Sequence, residues 1–199
     1  MRRIATAGLL PETEEAAMAR LPYRDVTDLA PEDQALLVRP VNLYRAMVNS
    51  PGMTRAFLGL ANHIRHHSVL DARLRELAIL QVGWVARSPY EWSHHVSIGR
   101  DFGVTDAEIA AIAVETNGGV SALEPAARAV LRAAREMAQG ADALSDATFA
   151  AVQAHLDIAS LTDLLVIIAF YCGVVRFLGA AGIEVEPSYQ PCLDQHPLP

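Results

Sequence analysis

The segment that most constrains the fold runs from Ser68 to Gly103, where two helical patterns flank a short break at residues 87–89. Apolar residues recur at three- and four-residue steps from about Asp71 to Ala86, which predicts an amphipathic helix. A second helix is predicted from Pro89, because proline suits the first helical position, Ser88 can cap it, and Glu91 can close a capping box. The segment therefore predicts a helical hairpin.

Polar residues inside this hairpin predict a site between its helices. Glu76 interrupts the apolar helix near its middle, and a buried carboxylate needs a partner or a raised pKa. His95 lies one turn after Glu91, so both share one helix face. Two carboxylates and an imidazole are thus predicted to meet. The alternative is that Glu76 lies on a solvated face and that Ser88 and Glu91 only cap a helix.

The rest of the chain predicts an all-α domain of about eight helices, since no run shows strand alternation with hairpin turns. A single domain is predicted over residues 1–199, with its core at about 40–183, an N-terminal arm at 1–30 and an extended C-terminal tail at 184–199. Capping signals and glycine or proline stops predict the other helices. Their approximate ranges are 12–19, 32–38, 41–48, 51–66, 105–115 (with a capping box at Thr105), 121–139 (with another at Ser121), 146–155 (capped by Ser145) and a long apolar helix from Ser160, with Asp163, to a stop at 179–182.

Composition and charge limit the partners and the compartment. Hydrophobic residues make up 52% of the 199 residues, so we expect some apolar surface to be covered by other subunits. A net charge of −7 argues against a nucleic-acid partner. The most apolar run, Leu164–Val175, is shorter than the roughly 20 residues of a membrane span, and the apolar start of the chain is too short for a signal peptide. A cytoplasmic protein without a membrane partner is predicted, with Cys172 as an inert buried thiol.

Histidines are concentrated near the hairpin but do not predict a metal site. His63 and His67 have the i, i+4 spacing that metal-binding helices use. Neither an HExxH motif nor a Cys/His ligand set accompanies them. We therefore predict no metal.

The segment Arg73–Ile109 resembles the carboxymuconolactone decarboxylase family, which is related to the alkylhydroperoxidase D-like proteins. Its central motif reads E-L-A-I-L, then Y-E-W, then H-x-x-I-G-R, and Asn42–Arg45 and Phe170–Pro187 support the resemblance. The resemblance covers residues from about 40 to 187. It implies an all-helical fold that assembles as trimers or hexamers, with sites near subunit interfaces.

The peroxidase branch of this family uses a Cys-x-x-Cys pair between an upstream glutamate and a downstream histidine. Laid onto this chain, the glutamate falls on Glu76, the cysteines on Ser88 and Glu91, and the histidine on His95. Serine and glutamate cannot cycle through sulfenic acid and disulfide, so peroxidase activity is only an alternative. The decarboxylase branch, whose acid–base chemistry needs no cofactor, resembles the chain better.

The resulting hypothesis is a cofactor-free lyase or isomerase acting on a small lactone or carbonyl acid. His95 would transfer the proton, Glu76 would orient it, and Glu91 would be a second acid/base. Ser88, Tyr90 and Trp92 would shape the substrate pocket. A substrate carboxylate would need a cation, for which the candidates are Arg73, Arg75, Arg87 and Arg100. A further alternative is a binding or assembly protein that has kept the fold without the chemistry.

Overall fold

The computed structural model describes residues 19–140 and 142–199, and these residues contain nine α-helices and no strand. The predicted all-α class is confirmed, whereas the helix predicted at 12–19 lies outside the described residues. Short 3-10 turns occupy Val26–Asp28, Pro31–Leu37 and Pro187–Tyr189. The helices are α1 (Asn42–Met47), α2 (Pro51–His66), α3 (Ala72–Val85), α4 (Pro89–Asp101), α5 (Asp106–Thr116), α6 (Pro125–Gln139), α7 (Asp146–Gln153), α8 (Ile158–Ala181) and α9 (Gln190–Gln195).

Helix α3 is the centre of the fold, and the prediction that it is amphipathic is wrong. Every residue from Leu74 to Gly83 is buried, because α4, α5, α6 and α8 all pack against it. A helix that is surrounded in this way buries its polar residues as well. Gln81, for example, satisfies its side-chain amide by donating to Thr116 Oγ1 at 2.9 Å.

Several predicted helix starts are confirmed by the hydrogen bonds at their first turns. Thr105 and Glu108 form a reciprocal capping box at the start of α5. Ser145 accepts from the backbone N–H of Thr148 and so caps α7. Proline opens α2 and α4 as predicted.

The capping boxes predicted at Ser88 and Ser121 do not form. Ser88 makes no side-chain cap hydrogen bond, because Glu91 is turned into the protein interior. The helix predicted from Ser121, α6, begins later, at Pro125. Glu124, the last residue of the predicted box, pairs with Arg73 at 2.8 Å. In both cases another partner takes the carboxylate that the pattern assigned to the box: His95 on the same helix for Glu91, and Arg73 on α3 for Glu124.

Helix α8 begins earlier than predicted. Asp157, rather than Ser160, caps it by accepting from the Ser160 backbone N–H at 2.7 Å. Asp163 accepts instead from Ser68 Oγ and Val69 N in the loop before α3. The predicted stop is confirmed, since α8 ends before Gly182, which has a φ of 65°.

At 24 residues α8 is long enough and apolar enough to cross a membrane, so the length argument against a span fails. Half of its most apolar stretch is nevertheless buried within this structure, where α8 packs against α3 and α6.

The C-terminal tail is not extended, contrary to prediction. It forms a 3-10 turn and α9, and α9 packs against α4. Trp92 Nε1 donates to the His196 carbonyl at 2.7 Å, and Arg100 donates to Gln195 at 2.8 Å. These anchors fix the tail along the helix that carries Glu91 and His95.

The start of α8 can be tested with two single substitutions. We expect Asp157→Ala to lower the free energy of unfolding by about 1 kcal/mol, because the helix loses its side-chain cap. Ser160→Ala should change it by less than about 0.5 kcal/mol, since the Ser160 hydroxyl is not the cap. Urea unfolding of both variants measures the difference, and a larger loss in Ser160→Ala would show that α8 begins where the sequence pattern placed it.

Candidate active site

The structure brings together Glu76, Glu91 and His95 between α3 and α4. Glu76 Oε2 lies 2.7 Å from His95 Nδ1, and Glu91 Oε1 lies 3.1 Å from His95 Nε2. The imidazole therefore has a carboxylate at each of its two nitrogens. The alternative of a solvated Glu76 is excluded, because this side chain is only 2% exposed.

Arg75, the residue before Glu76, completes the buried cluster. Its Nε donates to Glu76 Oε1 at 3.0 Å, and its NH1 donates to the carbonyls of Ile64 and Arg65 at the end of α2. The guanidinium also lies over the Phe102 ring, with 4.5 Å between Cζ and the ring centroid. With His95 protonated, two cations and two carboxylates balance, which is the condition under which buried charges are tolerated.

The cluster sets the protonation of its members. Burial opposes charge on His95, but the carboxylates of Glu91 and Glu76 outweigh it and raise the pKa of His95 to about 9. Burial likewise opposes charge on Glu76, yet His95 and Arg75 hold the pKa of Glu76 below its usual value. At neutral pH the pair is therefore an imidazolium and a carboxylate.

A cavity of about 310 Å³ lies against this cluster, among α2, α4, α8 and the segment before α1. Such a volume is at the small end of the range for ligand sites. Glu91 and His95 line it, whereas Glu76 lies behind His95. Its apolar and aromatic lining includes Leu43, Tyr44, Phe57, Leu58, Ile98, Phe170, Tyr171 and Val174.

Glu91 is the carboxylate that lines the cavity beside His95. Its Oε1 is buried and has no well-aligned hydrogen bond, although His95 Nε2 lies 3.1 Å away. A buried carboxylate oxygen without a hydrogen bond is costly. Glu91 is thus an acceptor that a ligand in the cavity could satisfy.

Of the three residues predicted to shape the pocket, only Tyr90 lines the cavity. Its hydroxyl is already occupied, since it accepts from Leu43 N and donates to Glu186 Oε1 at 3.1 Å each. Trp92 packs against Trp84 and belongs to the core. Ser88 is buried at the start of α4 and also does not line the cavity.

A second histidine–carboxylate pair, of which His94 lines the same cavity, was missed by the sequence interpretation. His94 Nε2 lies 2.7 Å from Glu186 Oε2, and the His94 ring is stacked between Tyr90 and Tyr189. Burial lowers the pKa of His94, although Glu186 opposes this. The adjacent pair His94-His95 was the available signal, but nothing local shows that a residue 92 positions away supplies the partner.

The predicted carboxylate-binding arginines are engaged elsewhere. Arg73 pairs with Glu108 and Glu124, and Arg100 pairs with Asp106. Arg87 occupies the turn before α4 with a φ of 48°, and it does not line the cavity. The arginines that do line the cavity are Arg39 and Arg65, neither of which the sequence pattern had indicated.

The cysteines and the other histidines lie apart from this cluster. Cys172 borders a separate, largely apolar cavity, and burial raises the pKa of its thiol. The rings of His63 and His67 are 5.9 Å apart on the outer side of α2. Within residues 19–140 and 142–199, no group of three or more His, Cys, Asp or Glu side chains is arranged to hold a metal ion.

Several solved structures have the same fold as this chain. An uncharacterized peroxidase-related protein with an alkylhydroperoxidase AhpD core, from Ralstonia eutropha JMP134, superposes with a TM-score of 0.75 at 19% identity, covering 87% of this chain and 95% of the other. A variant of the debrominase Bmp8, solved in complex with 2,3,4-tribromopyrrole, gives a TM-score of 0.71 at 21% identity, covering 92% of this chain and 99% of the other. No curated protein matches by sequence.

The fold is therefore that of the AhpD-like helical proteins. Residues 51–136 match the model of the carboxymuconolactone decarboxylase family, and this segment contains Glu76, Glu91 and His95. This segment of the chain thus resembles that family, within a chain that has the AhpD-like fold.

The buried cluster predicts a pH dependence of stability. Because the pKa of His95 rises from 6.5 to about 9 on folding, its contribution is complete below pH 6.5 and is lost as pH rises through 9. We expect the free energy of unfolding to fall by about 3 kcal/mol over this range. Urea unfolding of wild type and His95→Gln checks this, since the variant should lack the loss.

An equal decline in both proteins would contradict this assignment. Direct titration of the His95 ring by NMR provides a second measurement, which does not depend on the stability of the variant. A midpoint near or below 6.5 would contradict the assignment as well.

Proposed function

We propose that this protein is a cofactor-free acid–base enzyme that decarboxylates or isomerises a small lactone or carbonyl acid. The observation that carries the proposal is the buried Glu76–His95–Glu91 cluster set against one small cavity. Buried, coupled titratable groups in a cavity are the usual arrangement of proton-transfer sites.

The geometry changes the roles that the sequence suggested. His95 has a carboxylate at each nitrogen, so a substrate reaches its protons only by displacing Glu91 or by way of Glu91. We assign Glu91 the contact with substrate and His95 the storage of the proton behind it. Glu76, held by Arg75, keeps the imidazole oriented and protonated.

In the decarboxylation, the bond between the substrate carbon and its carboxylate breaks, and the electron pair moves into a conjugated carbonyl to give an enolate. The proton on His95 then passes through Glu91 to that carbon, and solvent restores it. In the isomerisation, Glu91 removes a proton next to the carbonyl of an unsaturated substrate and returns it to the far carbon of the resulting dienolate, so that the double bond moves. General acid–base catalysis of either kind contributes roughly 10²- to 10⁴-fold.

Thiol-dependent peroxidase activity is not supported by this site. Ser88 and Glu91 stand where the peroxidase branch has its cysteine pair, and Cys172 lies at another cavity with a raised thiol pKa. A nucleophilic thiol needs a lowered pKa instead. The name of the debrominase neighbour carries no activity over at 21% identity.

Replacing the carboxylate at the cavity tests the proposal. We expect Glu91→Gln to lower kcat/KM by about 10² to 10⁴, because the amide fills the same space but cannot carry the proton. The measurements are CO2 release from carboxylated lactones and β-keto acids, and solvent-deuterium incorporation into substrate. Ser88→Ala is the matched control on the same helix and should retain activity within a few-fold.

Two outcomes would contradict the proposal. One is Glu91→Gln with unchanged kcat/KM. The other is wild type that neither releases CO2 nor exchanges deuterium with any substrate of the panel, which would favour a binding or assembly protein.

We further propose that the protein is a cytoplasmic homo-oligomer, a trimer or hexamer, as the family resemblance implies. Support comes from large apolar side chains exposed on α8 and α2, namely Ile158, Val166, Met53 and Leu60. Light scattering should give a multiple of the 21.5 kDa chain mass. Val166→Glu should lower that mass, whereas Val120→Glu, at another exposed valine, should not. A wild-type mass of one chain would contradict the proposal.

A further inference from the structure

Two arginines border the cavity that Glu91 and His95 also border. Arg39 precedes α1, and Arg65 lies in the last turn of α2. Neither forms an ion pair with any carboxylate of residues 19–140 and 142–199. The side chain of Arg39 donates only to the neutral hydroxyl of Tyr189, at 2.9 Å. Within the part of the chain that the structure describes, neither guanidinium therefore has a carboxylate partner.

The sum of the side-chain charges around the cavity is also positive. The inner cluster balances itself, because Arg75 and protonated His95 offset Glu76 and Glu91. Glu186, at His94, supplies one further negative charge, and the lowered pKa of His94 leaves that charge without an offset at its own partner. Arg39 and Arg65 together therefore leave an excess of one positive charge among the described residues around the cavity. Their charges act together on the Tyr44 hydroxyl: burial raises the pKa of Tyr44, and Arg65 and Arg39 oppose that rise. Arg65 acts on Tyr171 in the same way.

The backbone of Arg65 is tied to the catalytic cluster. Its carbonyl accepts from Arg75 NH1 at 3.1 Å, and Arg75 in turn binds Glu76. Arg39 is held from the other side by Tyr189, which stacks on His94. Both arginines are thus anchored to residues that border Glu91 and His95. The Arg39 guanidinium is held by its hydrogen bond to Tyr189, whereas Arg75 holds only the backbone of Arg65. Guanidiniums are the groups that proteins use to bind carboxylates.

We propose that Arg39 and Arg65 form the carboxylate-binding subsite of this cavity and thereby set the orientation of the substrate. The inference rests on the proposed acid–base function for the reacting end only. An organic acid binds with its carboxylate against the two guanidiniums. Its apolar chain packs along Phe57, Leu58 and Val174, and its carbonyl group and the reacting carbon next to it point toward Glu91. The reacting carbon then lies next to Glu91 Oε1, which has no well-aligned hydrogen bond and can take up or deliver the proton of that carbon.

This orientation distinguishes between the two reactions. A carboxylate held by two guanidiniums is stabilised in the ground state, and its charge disperses as CO2 leaves, so the cations oppose its departure. The bound carboxylate is therefore the one that the product retains. A monocarboxylate keeps its carboxylate and can only be enolised or isomerised. Decarboxylation requires a second carboxylate, placed at the Glu91 end.

A structural role is the competing explanation for Arg65. A cation in the last turn of a helix is stabilised by the helix dipole without any ligand. That role predicts a small loss of stability in Arg65→Gln and no change in ligand preference. The test therefore needs a binding measurement that compares charged and neutral ligands of the same shape.

The binding experiment uses levulinate and its neutral methyl ester, with calorimetry on the full chain. We expect wild type to bind levulinate at least tenfold more tightly than the ester. Arg65→Gln and Arg39→Gln should each weaken levulinate binding about tenfold, through loss of a charge-assisted hydrogen bond, and leave ester binding unchanged. The levulinate affinity of Arg65→Lys should lie between those of wild type and Arg65→Gln, because lysine keeps the charge but loses the planar guanidinium.

Arg132→Gln is the matched control, since Arg132 is exposed on α6 and its loss makes the same change in net charge. Equal affinity of wild type for the acid and the ester overturns the proposal. So does an unchanged preference in both arginine variants, or no measurable binding of either ligand. A preference that is lost equally in Arg132→Gln shows a bulk charge effect and overturns it too.

A kinetic experiment separates this inference from the proposed function. We expect the enzyme to accelerate CO2 loss from 3-oxoglutarate, a β-keto dicarboxylate, at least tenfold more than from acetoacetate, with Arg65→Gln removing the difference. Acid-selective binding without any turnover would retain the subsite and refute the acid–base function. Turnover with the same kcat/KM in wild type and Arg65→Gln would retain the function and refute the subsite.

Discussion

The contact on which the site depends is the buried pair between Glu76 on α3 and His95 on α4. It joins the two helices of the central hairpin at a point where both side chains are buried. Burying such charges is costly, and removing one partner typically costs about 3–5 kcal/mol, because the other is left uncompensated. Arg75 and Glu91 complete the balance, and Arg75 also binds the end of α2. One ion cluster thus fixes the relative positions of three helices around the cavity.

The position of α3 explains why this cluster is possible. Four other helices surround α3, so Glu76 and Arg75 are enclosed although both carry charge. The C-terminal segment covers α4, to which it is tied by the hydrogen bond from Trp92 to the His196 carbonyl. Glu186, from the same segment, pairs with His94. The adjacent histidines consequently differ: carboxylates raise the pKa of His95, whereas burial lowers the pKa of His94. Divergent neighbouring groups of this kind are typical of sites that separate acid from base.

The site also explains how an AhpD-like fold can work without its thiols. Ser88 and Glu91 occupy the positions that correspond to the cysteine pair of the peroxidase branch. Ser88 is buried away from the cavity, while Glu91 faces it beside His95. The same backbone position that would present a thiol here presents a carboxylate backed by an imidazolium. In the proposed function this position carries a proton, where the thiol of the peroxidase branch would carry out redox chemistry.

The sequence by itself determined the all-α class, most helix boundaries and the meeting of Glu76, Glu91 and His95, because helical periodicity and i, i+4 spacing are local properties. It misassigned the partners of Glu124 and Asp163, since each carboxylate binds a tertiary partner instead, and it assigned Ser88 a cap hydrogen bond that does not form. Only the tertiary structure decided that α3 is buried on all sides, that the tail folds back as α9, and that Arg39 and Arg65 line the cavity. These features depend on residues far apart in sequence, whose proximity is set by packing rather than by any local pattern.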